Sequence, residues 1–88
     1  ATLTEDGLYM IKNASSGLYM EVANGEAKNG ANVQQWGADE AASNNTWKVK
    51  SAGDGYYKLY SQVGDGNTYL LDVTGAKSAN GINFIRIR

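Results

Sequence analysis

Short runs in which apolar and polar residues alternate follow one another along the chain, and turn residues separate them. Each run is rich in β-branched, aromatic or long apolar side chains, which favours β-strands. The intervening segments carry Ser-Ser-Gly, Asn-Gly and Asp-Gly-Asn, which are turn sequences. Residues 38–42 allow at most one helical turn. The pattern therefore predicts an all-β barrel or sandwich, with strands at residues 8–11, 18–22, 32–36, 46–50, 56–60, 69–73 and 83–87.

The second half of the chain repeats the first. One match pairs GLYMIKN, which starts at Gly7, with GYYKLYS, which starts at Gly55, at an offset of 48 residues. Another pairs LYMEVANGEAKNGANV, which starts at Leu18, with YLLDVTGAKSANGINF, which starts at Tyr69, at an offset of 51 residues. The second copy therefore carries a three-residue insertion, near residues 63–67. Such self-similarity indicates a fold built from repeated units.

The segment NGANVQQW, which ends at Trp36, is a turn followed by an alternating strand. Neighbours in a strand point to opposite faces, and Val33 matches the apolar Phe84 of the second copy, so we expect Val33 to face inward. Gln34 and Trp36 then project from the outer face, as an amide beside an indole, which suits a sugar ring and its hydroxyl groups. The residues alone leave open that Trp36 is a core residue and Gln34 a solvated one. Trp47 alternates with polar neighbours and is predicted to lie in the core.

Composition excludes several classes of function. Eighty-eight residues fit one domain, 1–88. The chain has no Cys and no His, so a disulfide framework, a thiolate nucleophile and His-based catalysis are excluded. The net charge is −1 and the basic residues are scattered, which argues against nucleic-acid binding. No apolar run approaches the roughly 20 residues of a membrane span. No metal site and no cofactor are predicted, and the nine acidic residues form no motif of a hydrolase.

The stretch LYMEVANGEAKNGANVQQWGADEAASNNTWKV, which starts at Leu18, resembles one repeat of the ricin-B-type lectins and carbohydrate-binding modules. That resemblance implies a β-trefoil, in which three repeats surround a pseudo-threefold axis and each can carry a sugar site. An acid and an Asn bind sugar hydroxyls in such a site, and an aromatic side chain stacks on the ring. Carried over to this chain, the site consists of Glu21, Gln34, Trp36 and Asn44.

Three features depart from the family pattern. The acid is usually Asp, and Glu21 is one methylene longer, so its carboxylate reaches differently. Asn45 replaces the Gln of the usual Gln-x-Trp, which concerns internal hydrogen bonding. The third repeat is absent: repeat one covers about 7–53, and repeat two, about 55–88, is truncated. We therefore expect a trefoil with two of three repeats, either incomplete or completed by another chain, and hence self-association.

The second repeat keeps the acid, as Asp72, but has Ile85 and Ile87 where the first has Gln34 and Trp36. A carboxylate without an amide or a ring makes a poor sugar site. Asp72 is a possible second site, although a turn or hydrogen-bonding role is favoured.

The resulting prediction is a non-catalytic, lectin-like module that binds galactosides or plant and cell-surface polysaccharides through a shallow site on repeat one. The alternative is a β-trefoil interaction or inhibitor module that binds no sugar, with Trp36 as a protein contact. The chain begins with Ala rather than Met. We therefore expect a secreted protein or a part of a larger secreted one.

Overall fold

The computed structural model describes residues 3–73 and 84–87 and contains seven described strands. Each overlaps a strand predicted from the sequence, and the predicted all-β fold class is confirmed. The strands are β1 (Leu8–Met10), β2 (Tyr19–Val22), β3 (Val33–Trp36), β4 (Thr46–Gly53), β5 (Tyr56–Ser61), β6 (Leu71–Val73) and β7 (Phe84–Ile87).

Strand β4 runs three residues beyond its predicted end, because it forms a tight hairpin with β5. Gly53 pairs with Tyr56, so Asp54 and Gly55 make a two-residue loop in which both residues have positive φ, 55° and 82°. Asp-Gly is favoured at such loops because both positions require the left-handed region. The dipeptide marks this hairpin in the sequence, although the strand prediction stopped short of it.

All described strand pairs are antiparallel, and they form a three-stranded sheet and two hairpin-like pairs. The sheet has the order β1-β4-β5, while β2 pairs with β3 and β6 pairs with β7. Isolated bridges join Lys12 to Tyr19 and Tyr60 to Leu70. Their positions differ by 48 and 51 residues, the two offsets of the sequence repeat. The two copies therefore make equivalent connections between consecutive strands. The bounds of the domain and of its repeats stay a prediction.

The core lies between the sheet and the β2–β3 hairpin. Trp47 is fully buried, as the sequence predicted, and its indole Nε1 donates a hydrogen bond to the carbonyl oxygen of Met20 at 3.0 Å. This bond gives the buried indole N–H its partner and ties β4 to β2. The other buried members of the cluster are Val22, Ala31, Val33 and Val63.

Residues 38–42 form no helical turn. The buried side chain of Asn45 holds this segment instead: its Nδ2 donates to the Glu40 carbonyl at 3.1 Å, and its Oδ1 accepts from the Ala42 N–H at 2.9 Å. Such side-chain bonds compete with helical ones for the backbone groups. Asn45 therefore has the internal hydrogen-bonding role expected for it. No helix in the described part of the chain is both long and apolar enough to cross a membrane.

Candidate functional site

The β2–β3 hairpin sets the geometry of the site. Directly opposite residues of an antiparallel pair share a face, and here Glu21 lies opposite Gln34, and Tyr19 opposite Trp36. The alternate face carries Val33, which is buried. The predicted assignment of faces is therefore confirmed, with Val33 inward and Gln34 and Trp36 outward.

Glu21 lies beneath the outer face and is only 6% exposed. Its Oε1 accepts a hydrogen bond from Gln34 Nε2 at 2.9 Å, and its Oε2 accepts one from Asn44 Nδ2 at 2.6 Å. Both oxygens of this buried carboxylate therefore have amide partners, one from the neighbouring strand and one from the turn before β4. Bonds of this kind offset the cost of removing a carboxylate from water.

Trp36 ends β3 and is 62% exposed, so its indole is available to a ligand. It lines an open depression of about 390 Å³ together with Glu21, Gln34, Asn44, Ala23 and Asn24. All four residues singled out from the sequence thus border one depression. That they bind sugar stays a prediction.

Asn44 reaches the hairpin because the backbone holds it there. Its backbone carbonyl oxygen accepts a hydrogen bond from the N–H of Val22 at 2.8 Å, and Val22 directly follows Glu21 in β2. Asn44 is therefore fixed by its backbone to β2 and by its side chain to Glu21. Gly25 lies close to Asn44, because a Cβ added at Gly25 would lie 3.7 Å from the Asn44 Cβ.

Sequence reasoning missed two lining residues, Ala23 and Asn24. Both belong to a short 3-10 turn, Ala23–Gly25, in which Asn24 has a φ of 58°. Asn tolerates this left-handed conformation better than most residues, and the Asn-Gly dipeptide was the available signal. Beside Asn24, outside the lining of the depression, Lys28 and, to a smaller extent, Asn24 hydrogen-bond the Glu26 carboxylate and hold its pKa below the usual value.

Asp72 occupies different surroundings from Glu21. The register of β6 and β7 shifts next to Asp72, which lies opposite Arg86 rather than opposite Ile85. The strict equivalence with the Glu21–Gln34 pair is therefore lost. Ile85 and Ile87 supply no amide and no aromatic ring, so the second repeat does not reproduce the chemistry of the first.

A smaller depression, of about 200 Å³, lies on the face of β4 and β5 and is lined by Lys48, Lys50, Tyr60 and Asn67. Its cations already have partners, since Lys48 donates to Asn67 and Lys50 forms an ion pair with Asp6. Among residues 3–73 and 84–87, no three or more His, Cys, Asp or Glu side chains gather where they could hold a metal ion. The β2–β3 depression is therefore the better candidate for a ligand site.

Comparisons with known proteins agree with this architecture. The crystal structure of a designed 3-fold symmetric protein, ThreeFoil, superposes with a TM-score of 0.78 at 34% sequence identity, over 92% of this chain and 55% of that one. The chain thus spans about half the length of ThreeFoil. No curated protein matches the sequence significantly. The sequence model of the family described as ricin-type beta-trefoil lectin domain-like matches residues 2–85. The chain has a β-trefoil fold and belongs to that family.

Proposed function

We propose that this protein is a non-catalytic carbohydrate-binding module whose site is the depression on the outer face of the β2–β3 hairpin. The single observation that carries the proposal is the exposed Trp36 indole next to two side-chain amides, Gln34 and Asn44, which a buried carboxylate holds in place. Membership of a lectin-like family supports carbohydrate as the ligand class.

The chemistry of these groups suits a pyranose. The face of an indole covers the apolar C–H face of a sugar ring, while an amide can both donate to and accept from the ring hydroxyls. The depression is open to solvent, so a sugar ring can enter it. Galactosides and plant or cell-surface polysaccharides are the ligands that we propose to test.

The competing function is a protein-interaction or inhibitor module, in which Trp36 is a contact residue. Its support is the exposure of Trp36, because aromatic side chains of this kind often anchor protein interfaces. The two functions differ in their need for the amides. A sugar needs Gln34 and Asn44 as hydrogen-bond partners, whereas a protein partner anchored on the indole does not.

Removal of either amide should weaken sugar binding. We expect Gln34→Ala and Asn44→Ala each to cost roughly 1–3 kcal/mol of binding free energy, because ligand hydroxyls lose partners in a desolvated contact. Titration with galactosides and with xylo- and arabino-oligosaccharides, followed by indole fluorescence, measures the effect. Each variant is first checked for folding by circular dichroism, since either change also leaves one Glu21 oxygen without its amide.

Two variants serve as controls. Gln35→Ala removes the same side chain from the next position of β3, where Gln35 is exposed and accepts a hydrogen bond from Ser16 Oγ at 2.9 Å. Asp72→Ala removes the acid of the second repeat. Both should leave sugar affinity nearly unchanged. A wild type that binds none of the sugars contradicts the proposed function, and a loss in Asp72→Ala as large as in Gln34→Ala contradicts the single site.

We also propose that the chain associates with a second copy. Within the described residues, the three-stranded sheet ends at β1 and β5. Its edges meet other strands only through the Tyr60–Leu70 bridge and, directly after β1, through the Lys12–Tyr19 bridge and the Met20–Ile11 backbone bond. Leu8 on β1 and Tyr56 and Tyr57 on β5 are exposed. Open strand edges with apolar side chains favour edge-to-edge pairing. Light scattering should find a dimer or a larger assembly, and a monodisperse monomer with a cooperative melt would contradict this.

A further inference from the structure

We propose that Glu21 is a positioning residue that turns the amides of Gln34 and Asn44 so that both present carbonyl oxygens to the ligand. The site is thereby made selective for a neutral sugar that offers two neighbouring hydroxyl donors. The inference rests on the proposed function, but the orientation of the amides can be tested without any ligand.

The contacts of Glu21 make direct binding of a ligand secondary. Each of its oxygens already accepts an amide N–H, at 2.9 Å from Gln34 and 2.6 Å from Asn44. Only 6% of the residue is exposed, although Glu21 belongs to the lining of the depression, so a ligand meets the two amides more readily than the carboxylate. The family resemblance assigned the acid to sugar hydroxyls. In this chain the Glu21 carboxylate instead lies between the two amides.

The carboxylate determines which way each amide points. An ionised carboxylate only accepts hydrogen bonds, so each amide must direct its NH2 group toward Glu21. The carbonyl oxygen of the same amide is then directed away from the carboxylate. Within the described part of the chain, neither Gln34 Oε1 nor Asn44 Oδ1 accepts a hydrogen bond from the protein. On this proposal, the two oxygens are the acceptors offered to a ligand in the depression, which both side chains line.

This arrangement predicts the chemical class of the ligand. Two carbonyl acceptors beside an indole match two neighbouring hydroxyl groups at the edge of an apolar sugar face. The lining residues include no cation, and their one charged side chain is the Glu21 carboxylate. A carboxylate or sulfate group on the sugar would meet this negative charge and the negative ends of two carbonyl dipoles. Neutral sugars should therefore bind in preference to acidic ones.

The first test measures the hydrogen bonding of the two side-chain amides in the ligand-free protein. In a 1H–15N NMR spectrum, the side-chain NH2 signals of Gln34 and Asn44 should show hydrogen-bonded shifts and slow exchange with water in the wild type. Glu21→Gln has nearly the same volume, but its amide offers a single acceptor oxygen, so at least one of the two signals should lose this signature. Unchanged signals in Glu21→Gln would overturn the proposal. Gln35, on the opposite face of β3, provides an internal reference signal.

The second test compares the affinities of the protein for neutral, acidic and O-methylated sugars. Wild type should bind methyl galactoside more tightly than the corresponding methyl galacturonide, by about fivefold or more, because of the like charge of Glu21. O-methylation of a ring hydroxyl that donates to an amide should weaken wild-type binding by about tenfold. In Glu21→Gln, this penalty should shrink at one hydroxyl, since one amide no longer presents its carbonyl. A purely structural role would lower affinity for all these sugars equally, and that outcome also overturns the proposal.

The remaining outcomes separate the two proposals. If wild type binds no sugar while the NMR signals respond to Glu21→Gln, the positioning role stands and the proposed function fails. If Glu21→Gln does not fold, Glu21→Asp keeps the charge but shortens the reach by one methylene. It should release at least one amide signal, and two unchanged signals in that variant would overturn the proposal.

Discussion

Replacement of Trp36 by alanine is expected to abolish carbohydrate binding while lowering the free energy of unfolding by only about 1 kcal/mol. The indole is 62% exposed at the end of β3, so few core contacts depend on it. A sugar that stacks on the ring, in contrast, loses its apolar contact surface entirely. Calorimetric titration with the sugar panel measures binding, and urea unfolding measures stability.

Two variants serve as matched controls: one keeps an aromatic side chain at position 36, and the other removes the side chain of Gln35. Trp36→Tyr retains an aromatic face and should keep weakened binding, whereas Gln35→Ala alters the adjacent position on the opposite face and should bind normally. A Trp36→Ala variant that still binds sugar would show that the indole is not the platform. A loss of stability above about 3 kcal/mol would show that the ring is part of the core.

Much of the fold could be predicted because local signals and the repeat agree. Alternation put Val33 and Trp36 on opposite faces, and the match of Val33 with Phe84 in the repeat identified the Val33 face as the inner one. Alternation with polar neighbours also placed Trp47 in the core, and the observed burial agrees. The period-2 pattern of a strand fixes such faces, since a one-residue error would exchange them. The repeat then supplied a second, independent alignment of the strands.

The depth of Glu21 could not be predicted in the same way. Its position on the outer face follows from its place in β2, but its burial depends on Asn44, which is 23 residues away and reaches it from the turn before β4. Spacing does not report such a contact, because the path of the intervening chain decides it. The 3-10 turn that brings Asn24 to the depression depends on a left-handed residue, which the sequence signals only as a turn.

The register of the β6–β7 pair at Asp72 could not be predicted from the sequence either. The repeat aligns Asp72 with Glu21 and Ile85 with Gln34, yet the structure pairs Asp72 with Arg86. A bulge adds one residue to one strand of a pair and shifts all later partners. No residue type in β6 or β7 marks this position, so an alignment of repeats overestimates how closely two copies share a site.

The largest effect on stability is expected for Trp47→Ala. Trp47 is completely buried, contacts the central cluster and donates its indole N–H to the Met20 carbonyl at 3.0 Å. Its removal should cost roughly 3–5 kcal/mol, from lost transfer free energy and the cavity left behind. A domain of this size has a total stability of about 5–15 kcal/mol, so the variant should be partly unfolded under mild conditions.

Trp47→Phe separates the hydrogen bond from the packing. It keeps an aromatic ring in the core but removes the donor to Met20, which directly precedes Glu21 in β2. We expect a loss of about 1–3 kcal/mol, because the partly buried carbonyl of Met20 loses its indole partner. Urea unfolding of both variants, with the exposed Trp36→Ala as the reference, measures the difference. A cost below about 1 kcal/mol for Trp47→Ala would contradict the buried, close-packed position of Trp47.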